Sequence, residues 1–450
     1  MALDGNKMLQ KMKRLSEAAN MKQVKPSSYA LFPGYHCPLM GAMMTINEID
    51  NSVMVVIGPD ECAYYTRLAT DGGGPIAANG CEIVSVVLNQ HDVTFGCQEK
   101  MDEAFEELMD EFNPQVVYFV TTCVVEVIGD DIDAMAEGYS QQYGLPVVVV
   151  HAENFKTDDH MPGIEHTLDA SIQLMEEQEI SDCVNVLGMR LGDFRKTEAF
   201  RYLKESGIAL HLQLPGKTTA ETVRTAPRAK CNIVAHPVGL PLARAMEEKF
   251  GTPYVVFERF SDPDRIMGCY RKLFSILEQE LPEELARAHA AMAEKTADTR
   301  KILSGKTYIS GNTALSNYEL HAFLAEKLDV KPLLLQISDL DDDSIEFRNM
   351  LLTLADPYVT RAANLAALPY LYPLLKPDFN IGSGNPTELR KNAIASVRMM
   401  KAYNTLGFEV CGMVLDAFIQ ADKESEMMKH GMSHGHMAAM TGGMMGGMRR

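Results

Sequence analysis

The feature that most constrains this chain is a set of short, almost unbroken apolar runs. VMVVI (53–57), EIVSVVL (82–88), QVVYFV (115–120) and LPVVVV (145–150) show little alternation between polar and apolar side chains. A strand with one wet face alternates, whereas a strand that is apolar on both sides must be covered on both. Parallel sheets meet that demand, because their crossover helices lie over each face. Between two of these runs, KMDEAFEELMDEF puts Met101, Phe105, Leu108, Met109 and Phe112 on one helical face. The texture is strand, helix, strand, which is that of a doubly wound sheet.

The same texture restarts at VNVLG (184–188). DFRKTEAFRYLKESG reads as a helix ended by Gly207, and LHLQLP, CNIVA and TPYVVFE continue the alternation. The stretch LPEELARAHAAMAEKTADTRKIL bridges to a third unit built from GKTYIS, NYELHAFLAEKL, KPLLLQIS and PDFNIGSGN. The expected fold class is therefore α/β, with three doubly wound, Rossmann-like parallel-sheet domains. The expected boundaries are an N-terminal extension at 1–26, domains at 27–175, 180–280 and 303–420, a helical linker at 281–302, and a Met/His/Gly-rich, disordered tail at 421–450. The acidic run DLDDDS (339–344) reads as a solvated loop.

Charge excludes some functions. The 450 residues carry a net charge of −19, the wrong sign for a nucleic-acid groove. No run approaches the roughly 20 apolar residues of a membrane span, and MALDGNKMLQKMKRL lacks the apolar core of a signal peptide. A cytoplasmic protein is expected. DGGGPIAANG (71–80) lacks the spacing of a phosphate-binding loop, which argues against ATP binding by this chain.

Nine cysteines lie far apart, at 37, 62, 81, 97, 123, 183, 231, 269 and 411, and none forms a CxxC pair. This is neither a disulfide framework nor a compact zinc site. Two of them fall where ligands gather in open α/β sheets, beyond the carboxyl ends of strands. VVIGPDEC runs strand, turn, Cys62; VVYFVTTC runs strand, then Cys123, and Cys37 lies upstream in GYHCPLMGA. From the residues alone these three are metal ligands or small buried hydrophobes. Three thiolates are also one short of the four that commonly hold an iron–sulfur cluster, so a second chain would complete the set.

GYHCPLMGAMM, IGPDECAYYTR, HDVTFGCQEKMDEAFEEL and VTTCVVEVIGDDID together resemble the component 1 proteins of the nitrogenase superfamily, over about 27–420. The resemblance implies that Cys37, Cys62 and Cys123 bind an iron–sulfur cluster, P-cluster-like 8Fe–7S or 4Fe–4S, shared with a partner chain. It implies an α-type partner in an α₂β₂ heterotetramer and electrons from an ATP-dependent iron protein. The α chains of that superfamily hold a catalytic cofactor through a middle-domain cysteine and a third-domain histidine. Here His236 stands at the first position, with Cys231 at the strand's start, and GSGNPTELRKNAIA has no histidine. The chain therefore resembles a β-type subunit of a nitrogenase-like reductase, such as methylthio-alkane reductase, that relays electrons to its partner. A scaffold subunit for nitrogenase cofactor assembly is the alternative. Asp159 aligns with a β-subunit oxygen ligand to the oxidised cluster; the plainer reading of HAENFKTDDHMPGIEHT is an Asp-rich surface loop. His236 and Cys231 read as structural. The tail MMKHGMSHGHMAAMTGGMMGGMRR combines Met and His, which bind soft metals, against the plainer reading of a disordered extension.

Overall fold

The computed structural model describes residues 4–30, 37–71, 80–153, 159–257, 261–311, 317–338, 340, 344–361 and 365–442. Most of DGGGPIAANG and DLDDDS, and Tyr35 and His36 before Cys37, lie outside the described residues.

The apolar runs form one four-stranded parallel sheet. Its strands are β1 (Ser52–Gly58), β2 (Cys81–Val87), β3 (Val116–Thr121) and β4 (Val147–Val150), in the order β2-β1-β3-β4. Central strands β1 and β3 are buried along their whole length, while the edge strand β2 is half-exposed. Each run serves two cores at once. Val53, Val55, Ile57, Val117 and Phe119 pack under the helices Gln98–Glu111 and Ile132–Tyr143. There Phe105 stacks on Tyr139 at 4.4 Å and meets Phe119 edge-on at 5.9 Å, an arrangement aromatic quadrupoles favour. Met54, Val56, Tyr118 and Val120 face the other way, into a core shared with the helices Pro38–Ile46 and Met161–Ala170 and with the next sheet. Burial on both faces is the reason the runs do not alternate.

The second sheet has β5 (Ser181–Leu187), β6 (Ala209–Leu214), β7 (Ala229–Val234) and β8 (Tyr254–Val256), ordered β8-β7-β5-β6 and all parallel. The helix Glu283–Leu303 leads to the third sheet. That sheet has β9 (Thr307–Ser310), β10 (Lys331–Ile337), β11 (Tyr358–Arg361), β12 (Phe379–Ile381) and β13 (Ala395–Val397), ordered β11-β10-β9-β12-β13. The α/β class with doubly wound sheets is thus the observed architecture.

One feature adds to the sequence reading and one differs from it. The N-terminal extension is tied to the third unit: Lys13–Arg14 pairs antiparallel with β11, Arg14 lies 3.7 Å above the Tyr358 ring, and Met8 is buried there. The tail does not begin in disorder at 421. The helix Phe408–Gly442 extends into it, and Val414, Phe418, Ala421 and Ser425 continue one buried stripe at helical spacing. Lys306 holds Asp422 at 2.9 Å and Glu426 at 3.1 Å, and Lys429 holds Asp378 at 3.0 Å.

Candidate metal centre

The order β2-β1-β3-β4 reverses direction between β1 and β3. Such a switch point leaves a crevice at the strands' carboxyl ends. Gly58 closes β1, and a Cβ there would lie 2.1 Å from Thr122 Oγ1. Only a glycine lets the two strand ends approach so closely. Cys62 follows β1 in the first turn of the helix Asp60–Asp71, and Cys123 follows β3 as the first residue of the helix Cys123–Ile128. Cys37 is the N-cap of the helix Pro38–Ile46. All three thiols therefore sit at the positive ends of helices, which favour negative charge.

The three lie close enough to interact. Burial pushes the Cys62 thiol above its ordinary value, and Cys123, Cys37 and Glu61 push it further. Three thiolates gathered in this way repel one another unless a cation sits among them. Exposure separates them from the other six cysteines. Cys37, Cys62 and Cys123 are partly exposed, whereas Cys81, Cys97, Cys183, Cys231, Cys269 and Cys411 are buried. Burial pushes Cys231 and Cys411 to about 12, which leaves them protonated and inert.

Among the described residues, no three His, Cys, Asp or Glu side chains converge on one ion position. The donor set thus does not fit a closed mononuclear site, which needs four ligands around one ion. Thiols are the donors that iron–sulfur centres take, and three of them would leave further ligands to come from elsewhere.

Cys37 is placed by helix packing. A Cβ on Gly41 would meet the His160 carbonyl oxygen at 2.0 Å, and one on Gly163 would meet the Pro38 carbonyl oxygen at 1.8 Å. These reciprocal glycines lock the helix Pro38–Ile46 against Met161–Ala170.

Asp159 stands two residues before that second helix and, unlike a surface-loop aspartate, is buried. It is 7% exposed, and its Oδ1 accepts from the amides of His160 (2.6 Å) and Met161 (3.2 Å) and lies 2.9 Å from His160 Nδ1. Burial would raise this carboxyl, but the imidazole and the two amides outweigh it and hold it below its usual value. Arg190 meets His160 Nε2 from the other side. The Asp159 carboxylate is thus committed to a helix N-terminus and a histidine. His236 Nδ1 accepts from the Val238 amide at 3.3 Å and caps a short turn after β7.

The sequence reading passed over two further features. One is a chain of polar groups behind Cys123, where Thr121 donates to Glu126, Glu126 holds His151 at 2.6 Å, and His151 reaches Asp133 at 3.2 Å. Glu126 stands three residues after Cys123 in a stretch already singled out, which was the available signal. The other is exposed apolar surface on the cysteine-bearing helices and their neighbour. Tyr64 and Leu68 follow Cys62, Val127 follows Cys123, and Phe95 ends the adjoining helix Gln90–Phe95. Among the described residues no helix is long and apolar enough to cross a membrane.

Residues 37–409 match the family model described as nitrogenase component 1 type oxidoreductase. The chain is 33% identical over 227 residues to the nitrogenase iron-molybdenum cofactor biosynthesis protein NifE of Clostridium pasteurianum, covering 49% of each. It is 30% identical over 269 residues to the protein of the same name from Nostoc sp., covering 58% of this chain and 55% of the other. It is 28% identical over 285 residues to the nitrogenase molybdenum-iron protein alpha chain of Clostridium pasteurianum, covering 60% and 52%. The chain thus spans about half the length of the curated relatives it matches. The solved structure of nitrogenase Cp1 at pH 5 shares the fold, with a TM-score of 0.61 at 20% identity over 88% of this chain and 89% of that one.

Proposed function

Because the chain belongs to the nitrogenase component 1 type oxidoreductase family, we propose that it is a scaffold-type subunit that holds an iron–sulfur centre during nitrogenase cofactor assembly. Cys37, Cys62 and Cys123 are its ligands in this reading, and a second component 1 chain supplies the rest. The observation that carries it is the gathering of the three partly exposed thiols, out of nine, at one switch point. A bound centre of this kind stores and passes single electrons. The chain's own part is to present three thiolates at helix N-termini, to keep Cys37 in reach through Gly41 and Gly163, and to leave one side open. On the Cys62 helix, the Cys123 helix and the adjoining Gln90–Phe95, the side chains of Tyr64, Leu68, Val127 and Phe95 are 54–76% exposed. Apolar surface of this sort marks a protein interface. We assign it to the partner chain and to a docking iron protein that delivers electrons.

What favours a scaffold over the electron-relaying β-type subunit is the identity to cofactor biosynthesis proteins, 33% and 30%. Resemblance to an alpha chain at 28% keeps a nitrogenase-like reductase as the second reading. Asp159 is left out of the ligand set, since its carboxylate is engaged elsewhere.

The test is anaerobic co-purification with the partner, followed by iron analysis and EPR, for the native chain and for Cys62→Ala. The expected result is several irons per pair and a signal that the substitution removes. Iron and spectrum unchanged by the substitution would overturn the ligand assignment. The loaded complex is then mixed with cofactor-deficient dinitrogenase. Activation of the acceptor supports the scaffold, whereas turnover by the complex itself without transfer supports the reductase.

A further inference from the structure

Behind the cysteine crevice, a continuous line of hydrogen-bonding groups runs from solvent to the end of β3. Asp133 is 68% exposed at its outer end, and Thr121, at the inner end, is fully buried. His151 follows β4 and bridges the two carboxylates, Nδ1 to Glu126 Oε1 at 2.6 Å and Nε2 to Asp133 Oδ2 at 3.2 Å. Thr121 Oγ1 donates to the same Glu126 oxygen and accepts from the Ala152 amide at 3.2 Å. His166, from the helix Met161–Ala170, binds the His151 carbonyl oxygen through Nδ1 at 2.6 Å. The titratable groups around His151 are therefore Glu126 and Asp133 on the two helices that face its ring, His166 against its backbone, and buried Glu153 two residues on. Burial lowers the imidazole's affinity for a proton, but the two carboxylates outweigh it and hold the ring protonated to a higher pH than usual.

We propose that Asp133, His151, Glu126 and Thr121 form a proton relay serving the Cys123 site, so that each electron taken up there is matched by one proton from solvent. The inference rests on the iron–sulfur reading above. In the step, one electron comes from a low-potential one-electron donor. One proton crosses from His151 Nδ1 to Glu126 Oε1, breaking the N–H bond and forming an O–H bond. The neutral ring keeps its Nε2–H, and its bare Nδ1 regains a proton from water by way of Asp133 when the partly exposed ring turns. The carboxyl group formed on Glu126 offsets the added negative charge beside the helix of Cys123. A structural bolt between β3, β4 and the two helices would need the same contacts but no proton movement, and that difference is measurable.

The test is an EPR-monitored potentiometric titration of the loaded complex between about pH 6.5 and 8.5, for the native chain, His151→Gln and Asp133→Asn. In the native complex the midpoint potential is expected to fall as pH rises, towards about 59 mV per pH unit, the value for one proton per electron. His151→Gln is expected to flatten that slope with iron content retained. Asp133→Asn is expected to move the break in the curve to lower pH, because one carboxylate partner of the imidazole is lost. If His151→Gln does not fold, Asp133→Asn decides alone, its substituted side chain being exposed. A pH-independent native potential, a full slope in His151→Gln, or an unmoved break in Asp133→Asn overturns the relay. Absence of any iron centre in the native complex overturns the iron–sulfur reading itself, and the relay with it.

Discussion

Replacing Gly41 by alanine probes how the fold places Cys37. The added Cβ would stand 2.0 Å from the His160 carbonyl oxygen, whereas ordinary contact needs about 3.5 Å. The obstacle is backbone at the head of the helix Met161–Ala170, so no side-chain rotation relieves it. The two helices must part by about 1.5 Å. Overpacking of this kind costs about 1–3 kcal/mol, enough to lower the melting temperature by several degrees. The effect on the site is larger than the effect on stability. Metal–ligand distances tolerate only about 0.2 Å, and Cys37 caps the helix that moves. Gly138 supplies the control, since it lies in the helix Ile132–Tyr143 and a Cβ there meets nothing within 4 Å. Gly138→Ala is expected to keep its iron and to melt at or slightly above the native temperature, because alanine suits a helix interior better than glycine. Gly41→Ala is expected to melt lower and to lose more than half of its iron. Equal iron content and the same melting curve in the two variants would refute this role for Gly41.

Three further outcomes follow from the same geometry. A bulky thiol reagent applied briefly to the folded, iron-free chain should modify Cys37, Cys62 and Cys123 and spare the six buried cysteines; peptide mass mapping that finds Cys231 or Cys411 labelled would contradict the division. A chain ending at Lys429 keeps the contacts of Ala421, Ser425, Asp422, Glu426 and Lys429, so one ending at Gln420 should be less stable than it by on the order of 2 kcal/mol, read from urea midpoints. The Asp159 carboxyl lies below its ordinary value when folded, so the unfolded chain binds more protons in the acid range. Its contribution is complete above about pH 4 and is lost as pH falls through the folded value; Asp159→Asn should flatten the fall in urea midpoint between about pH 5 and 3.5, and parallel curves would refute this.

The parts of the fold that were legible are those where one local pattern has one physical cause. Runs such as VMVVI and QVVYFV cannot be solvated on either side, so β1 and β3 had to be central strands. Cys62 and Cys123 inherited their place from those strands, because a residue just past a buried strand has little freedom. Short strands were harder to read. Phe379–Ile381 and Ala395–Val397 have three residues each, too few for a pattern to register. Lys13–Arg14 carries no strand signal of its own, and its pairing depends on Tyr358 and Val359 in a distant part of the chain. Asp159 misled because composition spoke for a surface loop, whereas its carboxylate is buried against the His160 and Met161 amides and the His160 ring. The tail misled in a similar way. Its Met, His and Gly content hides a buried stripe that Val414, Phe418 and Ala421 extend from the preceding helix.

The partial exposure of the three thiols bears on what kind of site they make. A structural metal ion in a single chain is surrounded by four ligands and sealed by the fold. Here three partly exposed thiols stand at three helix N-termini and, among the described residues, form no such closed set, while Tyr64 and Leu68 on the Cys62 helix and Val127 on the Cys123 helix are exposed. In the reading proposed above, the chain would provide half of an enclosure. Thiolates left open to water would be expensive to gather and easy to oxidise, so the arrangement makes physical sense only when a second surface covers it. A tight, permanent cover would keep a centre in place to carry electrons, whereas a cover that opens would let a centre be passed on. The three cysteines suit either case, and on the reading proposed above the choice between them falls to the partner's surface.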